Sequence, residues 1–326
     1  MLGASYTRNG PAREIFEVGE LPTPEPGPGE VRVRLYTSGV NRSDVRSRVG
    51  RPLGGPLIVP HSDGAGVIDK VGANVQAERI GERVWIWNGQ WQRPMGTAAQ
   101  FIALPSRQAV ALPDNTDFIA GACLGIPACT AFQAVRLLGE IGGKTILVTG
   151  AASSVGSYVT QIASRFAHAT VIGTVGTTEN GGRARANGAS SIVNYKSAPL
   201  AQQISGFTGG EGVDAVIDMD FSSTAKLLPD NILKPRGTIV AYGSNVGGLV
   251  PIPFDKMVTS SYALKFFHVY QLEDEDRRAG VEGIGRMLAS SQLAHRTEVF
   301  PLTAIADAHE AVERGSARGH VVLTMS

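Results

Sequence analysis

The chain has 326 residues, which exceeds the size at which a single hydrophobic core usually stops growing and predicts two domains. Hydrophobic residues make up 43% and charged residues 18% of the sequence, values typical of a globular protein rather than a disordered one. The 30 basic and 29 acidic residues nearly cancel, so we expect no nucleic-acid partner held by a broad positive field.

Cysteine content and hydropathy indicate the compartment. Only two cysteines occur, Cys123 and Cys129, and both lie in an apolar stretch. This usage excludes a disulfide framework and favours a reducing compartment, with the cytoplasm as the expected location. The N-terminus lacks the pattern of a targeting signal, and no apolar run approaches the roughly 18 residues that span a bilayer, so we expect no membrane anchor.

Residues 1–120 predict a β-rich first domain. Val31, Val33 and Leu35 alternate with polar residues, which is typical of a half-buried strand, and the proline-rich segment 21–30 precedes it as a turn. Further short strands are expected at residues 59–72, 82–88 and 98–105. The pattern changes near residue 119, where residues 119–135 predict a buried helical connection.

Residues 121–268 predict a second domain in which strands and helices alternate. Strand 145–150, helix 155–167 and strand 170–175 form a first βαβ unit, and apolar strands follow at residues 191–195, 214–219 and 237–243. Strands that are apolar on both faces belong in a parallel sheet covered by helices. The tail 269–326 predicts a helix through residue 290, strand 297–302, helix 306–314 and strand 320–325, and we expect it to rejoin the first domain.

The segment Gly150–Gly156 follows a predicted strand and opens a predicted helix, which is the setting of a dinucleotide-binding turn. Backbone N–H groups at such a helix start face a pyrophosphate, and the helix dipole adds to the attraction. The residues predicted to contact the phosphates are Ser153, Ser154, Val155 and Gly156. Ser153 stands where the usual pattern has its second glycine. A plain strand-to-helix turn in an unrelated α/β protein is the alternative interpretation.

Several motifs at matching order and spacing extend this interpretation along nearly the whole chain. They are residues 39–44 (GVNRSD), 60–68 (PHSDGAGVI), 81–84 (GERV), 125–127 (GIP) with Thr130-Ala131, the GAASSVG turn with Gln161, and Gly243-Ser244. On these residues the chain resembles the quinone oxidoreductase and ζ-crystallin branch of the medium-chain dehydrogenase/reductase superfamily. The resemblance implies a GroES-like β-rich catalytic domain interrupted by a Rossmann domain with a doubly wound parallel sheet. It also implies a nicotinamide cofactor in the cleft between the domains.

The resemblance also bears on metal binding. Zinc-containing relatives carry a cysteine where Asn41 stands and a His-Glu pair where Ser62 and Asp63 stand, and their structural zinc lobe needs four cysteines. We therefore expect no metal site, and His61 is interpreted as a hydrogen-bonded core or turn residue. Without a Lewis acid, oxidation of a simple alcohol lacks an activator, whereas a quinone or enone accepts hydride directly.

The family positions imply a set of residues around the nicotinamide. They are Asn41, Thr130, Gly243, Ser244, Phe266, Phe267 and His268. Helix packing is an alternative role for Thr130, and core packing is an alternative for Phe266 and Phe267.

Two further residues are candidates for the substrate. Arg46 departs from a tyrosine common in the family, and it is predicted to contact a cofactor phosphate or the anionic product, or to project into solvent. Trp87 is predicted to face an aromatic acceptor, with Asn41 and Arg46 as the other substrate contacts. Trp85 is expected in the core, and Trp91 is a second candidate for the acceptor pocket.

The residues after the second strand of this domain predict NADPH rather than NADH. NAD-specific domains place an acid at that strand's tip, but here Gly176, Thr177 and Thr178 follow, and the nearest acid is Glu179. Small and hydroxyl residues leave room for a 2′-phosphate, with Arg183 and Tyr195 as its further predicted contacts. Solvent exposure of both residues, with use of either cofactor, is the alternative.

The sequence thus predicts NADPH-dependent, metal-free hydride transfer to quinones. Reduction of the C=C bond of enones or alkenals is the closest alternative, and a non-catalytic nucleotide-binding, crystallin-like protein is another. A homodimer is expected, partly from the resemblance and partly because the apolar stretch 262–270 predicts an exposed edge strand that a second copy can pair.

Overall fold

The computed structural model describes residues 1–325 and divides the chain into two compact units. Unit 1 comprises Met1–Ile126 and Val281–Ser326, and unit 2 comprises Pro127–Gly280. Both divisions lie somewhat later in the chain than the predicted boundaries after residues 120 and 268. The predicted arrangement of a β-rich unit interrupted by an α/β unit is confirmed.

The first part of unit 1 is rich in strands. Its elements are β1 (Leu2–Ser5), α1 (Ala12–Ile15), β2 (Glu17–Glu20), β3 (Glu30–Val40), α2 (Arg42–Gly50), β4 (Asp63–Val71), β5 (Arg83–Ile86), β6 (Phe101–Pro105), β7 (Ala109–Ala111) and α3 (Phe118–Gly121).

Unit 2 alternates strands with helices, as the sequence predicts. Its elements are α4 (Cys129–Leu138), β8 (Thr145–Val148), α5 (Ser154–Gln161), β9 (Thr170–Val175), α6 (Thr178–Ala186), β10 (Ser191–Asn194), α7 (Leu200–Thr208), β11 (Val213–Asp218), α8 (Phe221–Thr224), β12 (Leu233–Ala241), α9 (Phe254–Thr259) and β13 (Ala263–Phe266). Helix α10 (Asp274–Ala289) crosses the division at Gly280, and β14 (Thr297–Pro301), α11 (Ile305–Arg314) and β15 (His320–Thr324) complete unit 1.

The main sheet of unit 1 is organised around the long strand β3. It pairs antiparallel with β4 on one side, while on the other side its first half pairs with β6 and its second half with β15. The sheet order is β14-β15-β3-β4-β5-β7. Val31, Val33 and Leu35 are buried in the core of this unit, which confirms the predicted alternation. The C-terminal strands therefore rejoin the first domain, as expected.

The sheet of unit 2 has six strands in the order β10-β9-β8-β11-β12-β13, and every pair is parallel. This is the Rossmann order, in which the strand sequence reverses between the first strand, β8, and the fourth, β11. Buried apolar residues such as Leu147, Val216 and Ile239 form its core. Strand β13 lies at the sheet edge, as the stretch 262–270 predicts.

Two local predictions need correction. The connection 119–135 is not one helix but α3, a wide π-type turn at Leu124–Ala128 that contains Pro127, and α4. Proline removes a helical donor, which is the physical reason for the break. The strand expected at residues 82–88 ends at Ile86, before Trp87, because the chain turns through Asn88 with a φ of 53°.

Candidate cofactor site

The carboxyl ends of the parallel strands of unit 2 lie at one edge of its sheet. Most of the predicted cofactor residues follow these ends: the Gly150 turn follows β8, Gly176 follows β9, Tyr195 follows β10 and Gly243 follows β12. Open parallel sheets bind ligands at this edge, beside the point where the strand order reverses. The fold therefore brings residues that are distant in sequence to one candidate site.

The turn after β8 has the geometry of a phosphate-binding turn. Gly150 has a φ of 63°, and a side chain at Gly156 would overlap the Gly150 carbonyl oxygen. Ser153 is the N-cap of α5, and its hydroxyl accepts the N–H of Gly156 at 3.1 Å. Ser154 and Val155 occupy the first turn of that helix. The serine in place of the second glycine thus stabilises the start of the helix.

A hydrogen-bonded link joins the ends of β8 and β11, the two strands at the reversal. The Thr149 hydroxyl donates to Asp218 Oδ1 at 2.7 Å and accepts the Met219 N–H at 2.8 Å. Asp218 is fully buried, and this burial raises the pKa of its carboxyl group. The Met219 sulfur fills the space where a side chain at Gly150 would lie, so Met219 packs against the Gly150–Gly156 turn.

The residues predicted to bind a 2′-phosphate lie at the next strand ends. Thr177 caps α6 by accepting the Asn180 N–H at 3.2 Å, and Thr178 is the first residue of that helix. Tyr195 is 54% exposed, and its hydroxyl covers Gly176 so closely that any side chain there would overlap it. The side chain of Arg183 is only 11% exposed. The alternative in which both residues are solvated therefore describes Tyr195 but not Arg183.

The predicted nicotinamide residues of unit 2 differ in their surroundings. A side chain at Gly243 would overlap the Met219 carbonyl oxygen, and the Ser244 hydroxyl donates to the Val246 carbonyl at 2.8 Å. Phe266 is 61% exposed at the end of β13, so core packing does not account for it. Its ring meets Phe221 edge-on at 5.3 Å.

The remaining predicted residues of unit 2 lie near that edge strand or on α4. Phe267 is half-buried, and His268 is exposed, with its Nδ1 at 3.2 Å from Gln271 Oε1. Thr130 is buried at the start of α4.

Asn41 and Asp63 form the polar centre of unit 1. Asn41 is the buried N-cap of α2, and its amide donates to Asp63 Oδ2 at 2.8 Å. The same carboxylate oxygen accepts the Ile126 N–H at 3.0 Å. Asp44 accepts the Asn41 backbone N–H at 2.7 Å, and burial raises the pKa of Asp44 to about 7. Asn41 is therefore fixed by neighbours on two sides.

A buried chain of hydrogen bonds begins beside Asp63 and ends at His309. The Thr97 hydroxyl donates to the Asp63 carbonyl at 2.6 Å, so the Ser38 hydroxyl, 2.8 Å away, donates to Thr97. Ser38 then accepts from His61 Nδ1 at 2.9 Å. His61 Nε2, left without a proton, accepts from His309 Nε2 at 2.8 Å. The chain of donors thus assigns the tautomer of both imidazoles.

The same burial keeps these histidines neutral. Burial lowers the pKa of His61 to about 3 and that of His320 to about 4, and it lowers the pKa of His309 well below its usual range. The prediction that His61 is a hydrogen-bonded core residue is confirmed. His309 lies at helical spacing with the apolar residues Ile305, Ala308 and Val312, a sequence signal that already indicates a buried position.

The predicted substrate residues of unit 1 differ in exposure. Arg46 is exposed on α2. Trp87 is 9% exposed and follows β5, and its carbonyl accepts from Gln108 at 3.2 Å. Trp85 is buried in the core, as predicted, and Trp91 is half-buried.

Known proteins share this architecture. Residues 27–114 match a family model described as alcohol dehydrogenase GroES-like domain, and residues 187–323 match one described as zinc-binding dehydrogenase. The quinone oxidoreductase of Rattus norvegicus is 30% identical, covering 96% of this chain and 97% of its own. The 2-haloacrylate reductase of Burkholderia sp is 33% identical, covering 77% of this chain and 75% of its own. A solved NAD-dependent alcohol dehydrogenase matches with a TM-score of 0.88 at 29% identity, over 100% of both chains.

The chain belongs to the quinone oxidoreductase branch of the medium-chain dehydrogenases/reductases. It is an oxidoreductase of that superfamily. Within residues 1–325, no helix is long and apolar enough to cross a membrane.

In this family member, two of the three positions that hold zinc in metal-containing relatives, Asn41 and Asp63, are hydrogen-bonded to each other. The Asn41 amide group donates to Asp63, and Ser62 is buried beside it. Cys123 and Cys129 are both buried. Across the described residues, no group of three or more His, Cys, Asp or Glu side chains is arranged to hold a metal ion.

Sequence reasoning missed several residues of the site. The sequence marks Asp63 only as a lost ligand position, whereas in the structure its carboxylate accepts from Asn41 and from the Ile126 N–H. Thr149 and Met219 carry no motif that marks them, because their roles arise from the adjacency of β8 and β11. The sequence identifies Glu179 only as an acid near the predicted phosphate site, and its ion pair with Arg183 is visible only in the structure.

Proposed function

We propose that the protein is an NADPH-dependent, metal-free reductase of quinones. The observation that carries this proposal is the Asn41–Asp63 hydrogen bond of 2.8 Å. It places an amide donor and a carboxylate acceptor, already satisfied by each other, where zinc-containing relatives hold their metal. An amide and a carboxylate form a poor ligand set for zinc, the Lewis acid that activates an alcohol in those relatives. An acceptor that is already electrophilic therefore suits this enzyme better than an alcohol.

The fit of a dinucleotide rests on unit 2. The Gly150–Gly156 turn is tight because its two glycines leave room for Met219 and for the Gly150 carbonyl oxygen, and the N-terminal end of α5 supplies backbone donors for a pyrophosphate. Gly176, Thr177, Thr178, Arg183 and Tyr195 provide the small, hydroxyl and cationic groups that a 2′-phosphate needs. We therefore propose NADPH as the preferred cofactor.

When bound, the nicotinamide supplies a hydride to the acceptor. The chain's own contribution is to hold the acceptor and to exclude water, for which we propose Asn41, Arg46 and Trp87. Thr130, Gly243, Ser244, Phe266, Phe267 and His268 are proposed to position the nicotinamide. The reduced oxygen carries negative charge until it is protonated, and a cationic group such as Arg46 would stabilise it.

Reduction of an activated C=C bond is the second candidate activity. It is favoured by the 33% identity to a 2-haloacrylate reductase. Both activities require the same hydride transfer to an electron-poor acceptor. A non-catalytic nucleotide-binding protein is the third possibility, and it predicts cofactor binding without turnover of any acceptor.

One assay separates these functions. Oxidation of NADPH and NADH is followed by absorbance with a panel of quinones, enones and 2-haloacrylates, and the reverse reaction is followed with ethanol and a benzylic alcohol. We expect turnover of quinones, or failing those of enones, that a strong chelator leaves unchanged. Comparable turnover of alcohols, or activity lost together with about one zinc per chain, would refute the proposal.

We further propose a homodimer that works in the cytoplasm. Strand β13 lies at the edge of the sheet, with one side unpaired among residues 1–325, and exposed Phe266 lies on it. A second copy can pair with such an edge and bury it. Light scattering tests this proposal, and a monomer mass at micromolar concentration would contradict it. The balanced charge predicts no nucleic-acid binding, which a gel shift at low salt tests.

A further inference from the structure

Helix α6 carries an acid beside the cation of the proposed 2′-phosphate pocket. Glu179 and Arg183 are four residues apart on this helix and form an ion pair. The Glu179 side chain is 68% exposed, whereas the Arg183 side chain is 11% exposed. Arg183 Nε has no hydrogen-bond partner among residues 1–325. The guanidinium group is thus largely buried, and its ion-pair partner is an exposed surface carboxylate.

This ion pair lies in the first turns after β9, close in the chain to Gly176 and the capping residue Thr177. Tyr195 covers Gly176 from the end of the neighbouring strand β10. In a Rossmann domain the adenosine ribose lies at the end of this second strand, where NAD-specific domains use an acid to bind the 2′-hydroxyl group. The ion pair therefore lies on the helix that follows the strand end at which the two cofactors differ chemically.

We propose that Glu179 limits the preference for NADPH by competing with the 2′-phosphate for Arg183. This inference rests on the proposed function, because it concerns the same cofactor pocket. A 2′-phosphate binds Arg183 only when Glu179 gives up at least part of its contact, and the two anions then repel each other. A 2′-hydroxyl group carries no charge and leaves the ion pair intact. The acid therefore weakens phosphate binding and leaves hydroxyl binding nearly unchanged.

The test measures binding of two nucleotides to the full-length protein by calorimetry. Adenosine 2′,5′-bisphosphate reports on the phosphate pocket, and adenosine 5′-monophosphate reports on the rest of the adenosine site. Glu179→Gln removes the charge and keeps the shape. Glu211→Gln is the matched control, because Glu211 is also an exposed acid of unit 2 that pairs with a cation, Lys234, but it precedes β11 at the opposite end of the sheet.

For Glu179→Gln we expect bisphosphate binding about 3- to 10-fold tighter and monophosphate binding within about twofold of wild type. The ratio of kcat/KM for NADPH to that for NADH should rise by the same factor. Glu211→Gln should change neither nucleotide. In an Arg183→Met background the gain from Glu179→Gln should fall below about twofold, because the competition acts through Arg183.

The outcomes separate this inference from the proposed function. In one outcome the wild type binds the bisphosphate more tightly than the monophosphate, and Glu179→Gln leaves this preference unchanged. That result supports an NADPH pocket and overturns the role of Glu179. Equal tightening of both nucleotides, or an equal effect of Glu211→Gln, also overturns it. If neither the wild type nor Glu179→Gln binds the bisphosphate more tightly than the monophosphate, the inference and the proposed NADPH preference both fail.

Discussion

The buried histidines of unit 1 should make its stability fall steeply below pH 6.5. His61 and His309 are fully buried and hydrogen-bonded to each other, and the pKa of each is lowered in the folded state. In the unfolded chain each imidazole takes up a proton near pH 6.5, whereas the folded protein keeps it neutral. The contribution of each histidine is therefore complete above pH 6.5 and is lost progressively below it.

The magnitude follows from the interval of about 1.5 units between pH 5 and the imidazole pKa of the unfolded chain, near 6.5. One pKa unit corresponds to 1.36 kcal/mol, so at pH 5 each neutral buried histidine reduces the free energy of unfolding by about 2 kcal/mol relative to pH 7.5. Asp44 acts in the opposite direction, because its pKa is raised to about 7 and its protonated form stabilises the fold as the pH falls below that value. A comparison of variants that all retain Asp44 removes this term.

The perturbation is His309→Gln, in which a neutral amide keeps an N–H donor for His61 at every pH. We expect the loss of stability between pH 7.5 and pH 5 to be about 2 kcal/mol smaller than in wild type. Urea unfolding followed by tryptophan fluorescence is the assay. All three tryptophans, Trp85, Trp87 and Trp91, lie in unit 1 with the histidines, so the signal reports on the relevant unit.

The control is His168→Gln, since His168 is an exposed residue of unit 2. Its pH dependence should match that of wild type. If the free energy of unfolding falls by the same amount between pH 7.5 and pH 5 in wild type and in His309→Gln, His309 is not a neutral buried residue of the folded state.

Three substitutions test the remaining geometry. Gly176→Ala adds a methyl group that overlaps the Tyr195 hydroxyl, and because Tyr195 is exposed and can move aside, the fold should survive. The affinity for adenosine 2′,5′-bisphosphate, measured by calorimetry, should fall about 5-fold. An unchanged affinity would show that Tyr195 is not part of the pocket. Asn41→Asp places a second carboxylate beside Asp63 and should lower the free energy of unfolding of unit 1 by about 3 to 5 kcal/mol at pH 8, measured by urea unfolding. A variant as stable as the wild type would disprove this prediction. Ser153→Ala removes the cap of α5 and should cost about 1 kcal/mol, with Ser153→Thr as the conservative control, and equal melting of both variants would argue against the cap.

Local sequence patterns predicted the elements well where burial repeats along the chain. The alternation at Val31, Val33 and Leu35 gave strand β3, and the strands at 145–150 and 170–175, apolar on both faces, gave neighbours in a parallel sheet. The turn Gly150–Gly156 also follows from local features, because glycine at tight backbone positions and a capping serine act within a few residues. These predictions succeed because the period of a pattern reports which face of an element is buried.

Contacts between distant segments could be seen only in the tertiary structure. His61 and His309 are 248 positions apart, and neither residue type indicates the other as a partner. The sequence indicates Asp63 only as a lost metal-ligand position, yet in the structure its carboxylate accepts hydrogen bonds from the Asn41 amide and from the Ile126 backbone N–H. The spacing of apolar residues predicts that a polar side chain is buried. Its hydrogen-bond partner depends on how the sheets and helices pack, which the spacing does not determine.

The sequence by itself therefore determined two units, an alternating α/β arrangement, a glycine-containing strand-to-helix turn at Gly150–Gly156 and a small, hydroxyl-rich segment after the second strand. The tertiary structure alone decided that β8 and β11 are neighbours, that Met219 packs on Gly150 and that Arg183 is a largely buried cation paired with Glu179. The physical reason is that secondary structure follows from the burial of one face of each element, which repeats locally. Pairing between elements follows from the shapes and polar groups of surfaces that meet only after the chain has folded.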